Sequence, residues 1–285
     1  MNAPDAVAEA CWACGAPAHP VDAFLPARYN RCEVCGLHFQ PERTADELRE
    51  LYDEAYFEQY AGGGDYAGES SQRRHEARMR VRFLRRFAAP GRLLEVGAAN
   101  GHFLDEARRA GYTPFGIEPV EEFADRARRA FGVEIVAGFL EDVALQAQEF
   151  DVACAFHVLE HLATPLDALE RMRAALRRGG TLFVEVPNIE SVAARRDGAG
   201  WGALEPLHHV VHYGPRSLRA MLERAGFDVD YTDTVPFFSY LRPAAASRPR
   251  HLAHRLLLSA RGRVPLRGSH PERHELLRAV ARARD

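Results

Sequence analysis

From Arg92 onward, short apolar runs alternate with amphipathic helical stretches, and this alternation constrains the fold more than any other feature of the chain. Leu93-Leu94-Glu95-Val96 reads as a strand, Phe103 to Ala110 as a helix ended by Gly111, and Pro114-Phe115-Gly116-Ile117 as the next strand. Glu121 to Phe131 forms a helix stopped by Gly132, and Val133 to Val136 another strand. Asp151 to Phe156 is almost continuously apolar, as expected of a strand buried on both faces. Pro165 opens a helix with Leu166, Leu169, Met172 and Leu176 on one face, closed by Gly179-Gly180, and Thr181 to Val186 follows as a strand. Leu218, Met221, Leu222 and Ala225 repeat at helical spacing before Gly226 and a strand from Phe227 to Thr232. The pattern predicts an α/β domain over residues 91–242, a doubly wound, mostly parallel sheet with helices on both faces.

The 285 residues exceed such a domain, and the flanks differ in character. Cys11-x2-Cys14 and Cys32-x2-Cys35 have the spacing of a closed, structural zinc site, which predicts a zinc ribbon over residues 1–43. Gly15 and Gly36 follow the second cysteine of each pair, where a knuckle needs an unhindered backbone. Residues 44–90 read as a helical lid or linker, with Thr44 as a cap, Leu48, Leu51 and Tyr52 on one face, then Tyr56, Phe57 and Tyr60, and finally a helix carrying Met79, Phe83 and Phe87. Residues 243–285 hold ten Arg against three acidic residues, a net +7, and read as a helical extension with pieces around Leu252–Leu258 and Glu272–Val280. Such an extension either packs on the core or meets an acidic partner.

The whole chain has a formal net charge of −3, so it is no obvious polyanion binder. It contains no Lys, which excludes Schiff-base chemistry, a phosphate-loop Lys and a Lys base together. No stretch approaches the ~20 apolar residues of a bilayer span, and the first ten residues lack the pattern of a secretion signal. A cytoplasmic protein whose thiols bind metal rather than pair is the expectation.

The chemistry concentrates in Glu95-Val96-Gly97-Ala98-Ala99-Asn100-Gly101, a strand running into a small-residue turn and then a helix. A dinucleotide-binding turn has Gly-x-Gly-x-x-Gly, whereas here Gly97 and Gly101 stand four apart. The Glu95 carboxylate repels a pyrophosphate and attracts an α-ammonium group. Glu118 ends the second strand, placed to accept hydrogen bonds from both ribose hydroxyls. The pocket therefore suits a nucleoside bearing an amine and no phosphate.

Glu95-x-Gly97-x-Ala99-x-Gly101 resembles the first motif of class I S-adenosylmethionine-dependent methyltransferases, with Ala99 where the middle glycine is usual. In that likeness Glu118, followed by Pro119, matches the ribose-binding acid. Gly138-Phe139-Leu140-Glu141-Asp142 matches the adenine-flanking loop, with Phe139 in place of the more usual acid, so Leu140 or Glu141 reads the adenine. Phe156-His157-Val158-Leu159-Glu160-His161 resembles the segment after the fourth strand, and Arg178-Gly179-Gly180-Thr181-Leu182 the entry to the fifth. The likeness covers about residues 80 to 235 and implies a Rossmann-like fold. The cysteine knuckles, Cys35-Gly36-Leu37, Leu51-Tyr52…Tyr56-Phe57 and Trp201…Pro206-Leu207-His208-His209 are similar to bacterial zinc-ribbon methyltransferases associated with sugar or natural-product modification.

What the resemblance implies is O-methylation of a small-molecule acceptor, with S-adenosylmethionine as cofactor and Zn2+ as a structural ion. A hydroxyl acceptor needs a base, and with no Lys present histidine is the natural group. The candidates are His157 and His161 after the fourth strand and His208, His209 and His212 after the fifth. His208 and His209, on a Pro-bounded connection at the carboxyl edge of the sheet, are favoured, and for His161 a structural capping role is the alternative. His157-x3-His161 also has the helical spacing of a metal pair beside Glu160. Arg74, Arg78 and Arg82 either clamp the cofactor's carboxylate or form a solvated helix face. Trp201, Tyr213, Phe237, Phe238 and Tyr240 either line an acceptor pocket or belong to the core, and Cys154 reads as a buried inert thiol.

Two readings compete. In one, the ribbon and Arg-rich tail grip a nucleic acid or protein for methylation; against it, Phe156-His157-Val158-Leu159 stands where an amine-methylating Asn/Asp-Pro-Pro-Tyr motif would be. In the other, the chain is a zinc-ribbon binding module without activity, which the intact Glu95, Gly97, Gly101 and Glu118 disfavour.

Overall fold

The computed structural model describes residues 9–51, 70–236 and 273–284. Its elements begin with four short strands, β1 (Glu9–Ala10), β2 (Pro17–Val21), β3 (Tyr29–Cys32) and β4 (His38–Phe39). The main domain contributes β5 (Arg92–Val96), β6 (Thr113–Glu118), β7 (Glu134–Ala137), β8 (Phe150–Phe156), β9 (Leu176–Pro187), β10 (Val211–His212), β11 (Phe227–Val235) and β12 (Leu276–Ala283). Seven of these form one mixed sheet in the order β11-β12-β9-β8-β5-β6-β7. The strands β7, β6, β5, β8 and β9 run parallel. Helices at Ser70–Leu84, His102–Arg109, Glu121–Phe131, Pro165–Ala175 and Pro215–Arg224 connect or cover them. The doubly wound Rossmann-like domain read from the alternation is the observed fold.

Apolar periodicity explains why the layers close. Phe103, Leu104 and Ala107 of one helix and Phe123, Ala124 and Ala127 of another are buried at helical spacing. Leu93, Leu94, Val152, Ala153, Cys154, Leu182, Phe183 and Val184 fill the central strands at 0 % exposure, so Cys154 is the inert core thiol expected.

One expectation is overturned. The stretch read as a helix over Glu272–Val280 is, from Leu276, the strand β12, antiparallel to both β11 and β9 and lying beyond residue 242. Its Leu and Val spacing suits a helix, but the slot between two strands decides the outcome. There Leu276 to Ala281 are buried on both faces, and the arginines pair with acids spaced along β11. Arg278 makes a buried bidentate pair with Asp233 (2.8 Å from Nε), Arg282 reaches Asp230 (3.0 Å), and Arg284 reaches Asp228 (2.7 Å). The acidic partner of this part of the basic tail is therefore the neighbouring strand. The piece around Leu252–Leu258 lies outside the described residues, as do Tyr52, Tyr56, Phe57, Tyr60, Phe237, Phe238 and Tyr240. A smaller difference is that the Pro165 helix ends at Ala175, which leaves Gly179-Gly180 inside β9.

The N-terminal cysteines also come together. Cys11 and Cys35 Sγ lie 3.5 Å apart, as do Cys14 and Cys32, and all four Sγ lie within 4.8 Å of one another. Matching turns form both knuckles, in which Gly15 N–H donates to Cys11 O (2.9 Å) and Gly36 N–H to Cys32 O (3.0 Å). The strands around them form a five-stranded sheet, β1-β2-β3-β4-β10, whose last strand comes from the main domain. Register pairs Phe39 with Val211 and His38 with His212. Thr44 caps the Ala45–Glu50 helix through a capping box with Glu47, as the sequence suggested.

Candidate active site

The turn after β5 is drawn tight against its neighbours. Gly97 N–H and Ala98 N–H both donate to Ile117 O, at 2.9 and 3.0 Å. Gly97 has φ +74°, and a Cβ there would meet Val158 Cγ2 at 2.5 Å, so both conformation and space require glycine. Ala99 sits at φ 45°, an uncommon backbone for a side-chain-bearing residue and often a mark of function. Its N–H donates to Glu118 Oε2 (2.8 Å), and Val120 N–H donates to Glu118 Oε1 (3.1 Å).

These residues surround a cavity of about 360 Å3 at the carboxyl ends of β5, β6 and β8. Glu95, Gly97, Ala99, Glu118, Pro119, Leu140, Glu141, Phe156, His157 and His161 all line it. Of the expected cofactor positions, only Gly101 is not on the wall; it precedes the His102–Arg109 helix instead.

Both acids at the mouth are buried. Burial pushes the Glu95 carboxyl well above its ordinary range, opposed by Arg80 and reinforced by Glu118, and its Oε2 has no hydrogen-bond partner. Burial likewise raises Glu118 to about 7, partly offset by the N–H groups of Val120 and Ala99. A ligand presenting cationic or hydroxyl donors to these groups recovers a large desolvation cost.

A buried charge network closes the floor. His157, at φ 56°, places Nδ1 3.2 Å from Glu160 Oε1 and Nε2 3.6 Å from Glu185 Oε1. Burial pulls its pKa down, but the two carboxylates more than compensate and hold it at about 9, so His157 is a cation near neutrality. Arg80 Nε donates to Glu185 Oε1 (3.0 Å) while its guanidinium lies 4.7 Å over the Phe156 ring. Sequence reasoning missed Arg80 and Glu185. The signal was a carboxylate inside the apolar run Thr181-Leu182-Phe183-Val184-Glu185-Val186, which must be paired if buried. Arg74 and Arg78 instead pair with Asp105 and Glu106, fastening their helix to the next one.

The candidate bases separate by position. His161 lines the cavity, and burial lowers its pKa to about 3, leaving a neutral imidazole. His209 is not on the wall, but its ring meets the His161 ring edge-on at 4.6 Å, and its Nδ1 bonds Ala203 O at 2.8 Å. His208 is half-buried and also off the wall, with burial lowering its pKa. Trp201 and Tyr213 are buried, Trp201 in a cluster with Phe24 and Tyr29 and Tyr213 in the main core. The connection bearing His209 is held by the N-terminal segment. Tyr29 OH donates to His209 O (2.8 Å), Gln40 N–H to Val210 O (2.9 Å), and Gln40 Nε2 to Pro206 O (3.0 Å). Val210 N–H in turn donates to Glu160 O (2.8 Å), tying this connection to the floor of the cavity.

The family described as "Methyltransferase domain" matches residues 70–232, more than half of the chain. A ubiquinone biosynthesis O-methyltransferase from Actinobacillus pleuropneumoniae is 29 % identical over 107 residues, covering 34 % of this chain and 46 % of that protein. A tRNA U34 carboxymethyltransferase from Methylococcus capsulatus is 31 % identical over 146 residues, covering 48 % of this chain and 44 % of that protein. The chain thus spans about half the length of the curated relatives it matches. Among solved structures, the 1,6-didemethyltoxoflavin-N1-methyltransferase of Burkholderia thailandensis, with S-adenosylhomocysteine bound, aligns with a TM-score of 0.55 at 19 % identity. That alignment covers 94 % of this chain and 100 % of that one.

Proposed function

The chain belongs to the methyltransferase-domain family, and on that premise we propose that it transfers a methyl group from S-adenosylmethionine to a hydroxyl of a small molecule of the sugar or natural-product kind. One observation carries the cofactor assignment: two buried carboxyl groups, Glu95 and Glu118, end adjacent strands at one cavity, and the first has an unpartnered oxygen. That donor set fits an ammonium and a ribose diol and refuses a diphosphate.

The bound cofactor supplies an electrophilic methyl group on a sulfonium. Glu95 would hold the ammonium and Glu118 the two ribose hydroxyls, with Gly97 and Ala99 letting the backbone approach; Leu140, Glu141 and Pro119 would border the adenine, while Phe156 and His157 shape the floor. His157, held cationic by Glu160 and Glu185, fixes the floor's geometry. We assign acceptance of the acceptor's hydroxyl proton to the histidine cluster, with His161 as the member that reaches the cavity and His209 and His208 behind it. General-base assistance of this kind is worth about 10²–10⁴-fold.

The four cysteines fit a structural zinc ion. Zinc bound at about 2.3 Å to four thiolates places the sulfurs about 3.8 Å apart, close to the 3.5 Å observed for two of the pairs.

Labelled S-adenosylmethionine offered with a panel of hydroxyl-bearing sugars and phenols, and with bulk tRNA in parallel, tests the reading. Transfer to the hydroxyl compounds supports it, and transfer to tRNA alone replaces the acceptor with the one suggested by the carboxymethyltransferase relative. Failure to bind S-adenosylhomocysteine by calorimetry refutes methyl transfer altogether.

A further inference from the structure

Behind the His161 wall, Glu160, His161 and His209 each offer a ligand atom, and these three atoms lie within 4.8 Å of one another. Glu160 is fully buried, and one of its oxygens, Oε2, has no hydrogen-bond partner. An ionised oxygen kept away from water without a donor is costly, and a cation is the partner that removes the cost. The other oxygen, Oε1, lies 3.2 Å from His157 Nδ1, so the carboxylate is fixed in place. The Nδ1 of His209 is committed to Ala203 O at 2.8 Å, which leaves Nε2 as the ring's lone pair, with the exposed Glu205 carboxylate 3.9 Å from it. A carbonyl holding one imidazole nitrogen while the other binds metal is the usual second layer of a histidine metal site.

We propose that Glu160, His161 and His209 form a binding site for one divalent transition-metal ion, separate from the four cysteines. Two imidazoles and one carboxylate select zinc, iron(II), cobalt or manganese over magnesium or calcium, which prefer oxygen ligands throughout. Donor distances of about 2.0–2.2 Å require the three side chains to draw slightly closer around the ion. Because His161 is also a wall of the cavity, the ion sits next to the place where the acceptor hydroxyl must shed its proton. On the methyl-transfer reading above, which this role rests on, the ion would supply Lewis acidity there, with His161 and His209 holding it and His208, the member of the histidine cluster left unligated, receiving the proton. The binding itself does not depend on that reading.

Cobalt(II) titration of the metal-stripped full-length protein tests it, because the two sites differ in spectrum. Cobalt in the cysteine site shows thiolate-to-metal charge transfer, whereas cobalt bound by nitrogen and oxygen does not. The expected result is two equivalents bound by the wild type, one with and one without the charge-transfer band. His209→Gln should lose only the second equivalent, keeping the thiolate band and S-adenosylhomocysteine binding, which together report intact folding, and Glu160→Gln should likewise lose the second equivalent while keeping the thiolate band. Uptake of a single thiolate-bound equivalent by the wild type overturns the proposal, and so does retention of both equivalents in His209→Gln. Neither outcome touches the methyl-transfer reading, which is judged by cofactor binding and transfer.

Discussion

Affinity for the nucleoside part of the cofactor should depend on pH through the Glu118 carboxyl group. Burial holds Glu118 at about 7 in the empty protein. Ribose hydroxyls donate to the ionised form, so binding at lower pH must first expel a proton. A group titrating near 7 is ionised in about one molecule in eleven at pH 6 and about ten in eleven at pH 8, so affinity should rise about tenfold, or about 1.4 kcal/mol, between them. The probe is 5′-methylthioadenosine, which keeps the adenine and ribose but lacks the α-ammonium group that would draw a proton off Glu95. Calorimetry at pH 6, 7 and 8 gives the slope, and two buffers of different ionisation heat at pH 7 should show release of about half a proton. Glu118→Gln should flatten the profile and weaken binding at pH 8 by about 1.5–3 kcal/mol, the worth of hydrogen bonds to a charged acceptor. A flat profile in the wild type, or the same slope in Glu118→Gln, refutes the argument.

Four further outcomes are expected. Gly97→Ala, forced to φ +74° with its Cβ against Val158, should weaken S-adenosylhomocysteine binding by about 1–3 kcal/mol while far-ultraviolet dichroism stays unchanged. Glu185→Gln should lower the His157 pKa from about 9, read from ring proton shifts; an unmoved value would assign the whole effect to Glu160. Arg278→Met strands the buried Asp233 carboxylate and should cost about 3–5 kcal/mol in urea unfolding, whereas Arg284→Ala, at an exposed pair, should cost under about 1 kcal/mol. Cys14→Ser should abolish tight zinc retention by mass spectrometry under native conditions, and the His212 ring signals should shift because β4 pairs with β10.

Much of this architecture could be read from local pattern. The parallel strands announced themselves as short apolar runs between helices, and the acids Glu95 and Glu118 were placed by their positions at strand ends. Long-range pairing was not legible. Leu276 to Ala283 carries helical spacing, and nothing local says that Asp228, Asp230 and Asp233 wait on another strand at the matching register. For the same reason Arg80 and Glu185, 105 residues apart, meet over Phe156 without any shared motif. The histidines were visible as candidates, but which ring lines the cavity was not, because the connection that sets His208 and His209 back from it is pinned by Tyr29 and Gln40, far away in sequence.

The strand β10 belongs to two sheets' worth of constraint at once: its residues close the cysteine-bearing ladder, and the connection just before it carries the histidines behind the cavity. A change that re-shapes this connection for a new acceptor must still offer β4 a matching edge. Over evolutionary time the cysteine-bearing sheet and the connection behind the cavity should therefore be inherited as a pair, and a chimaera that exchanges one without the other should fail at the seam.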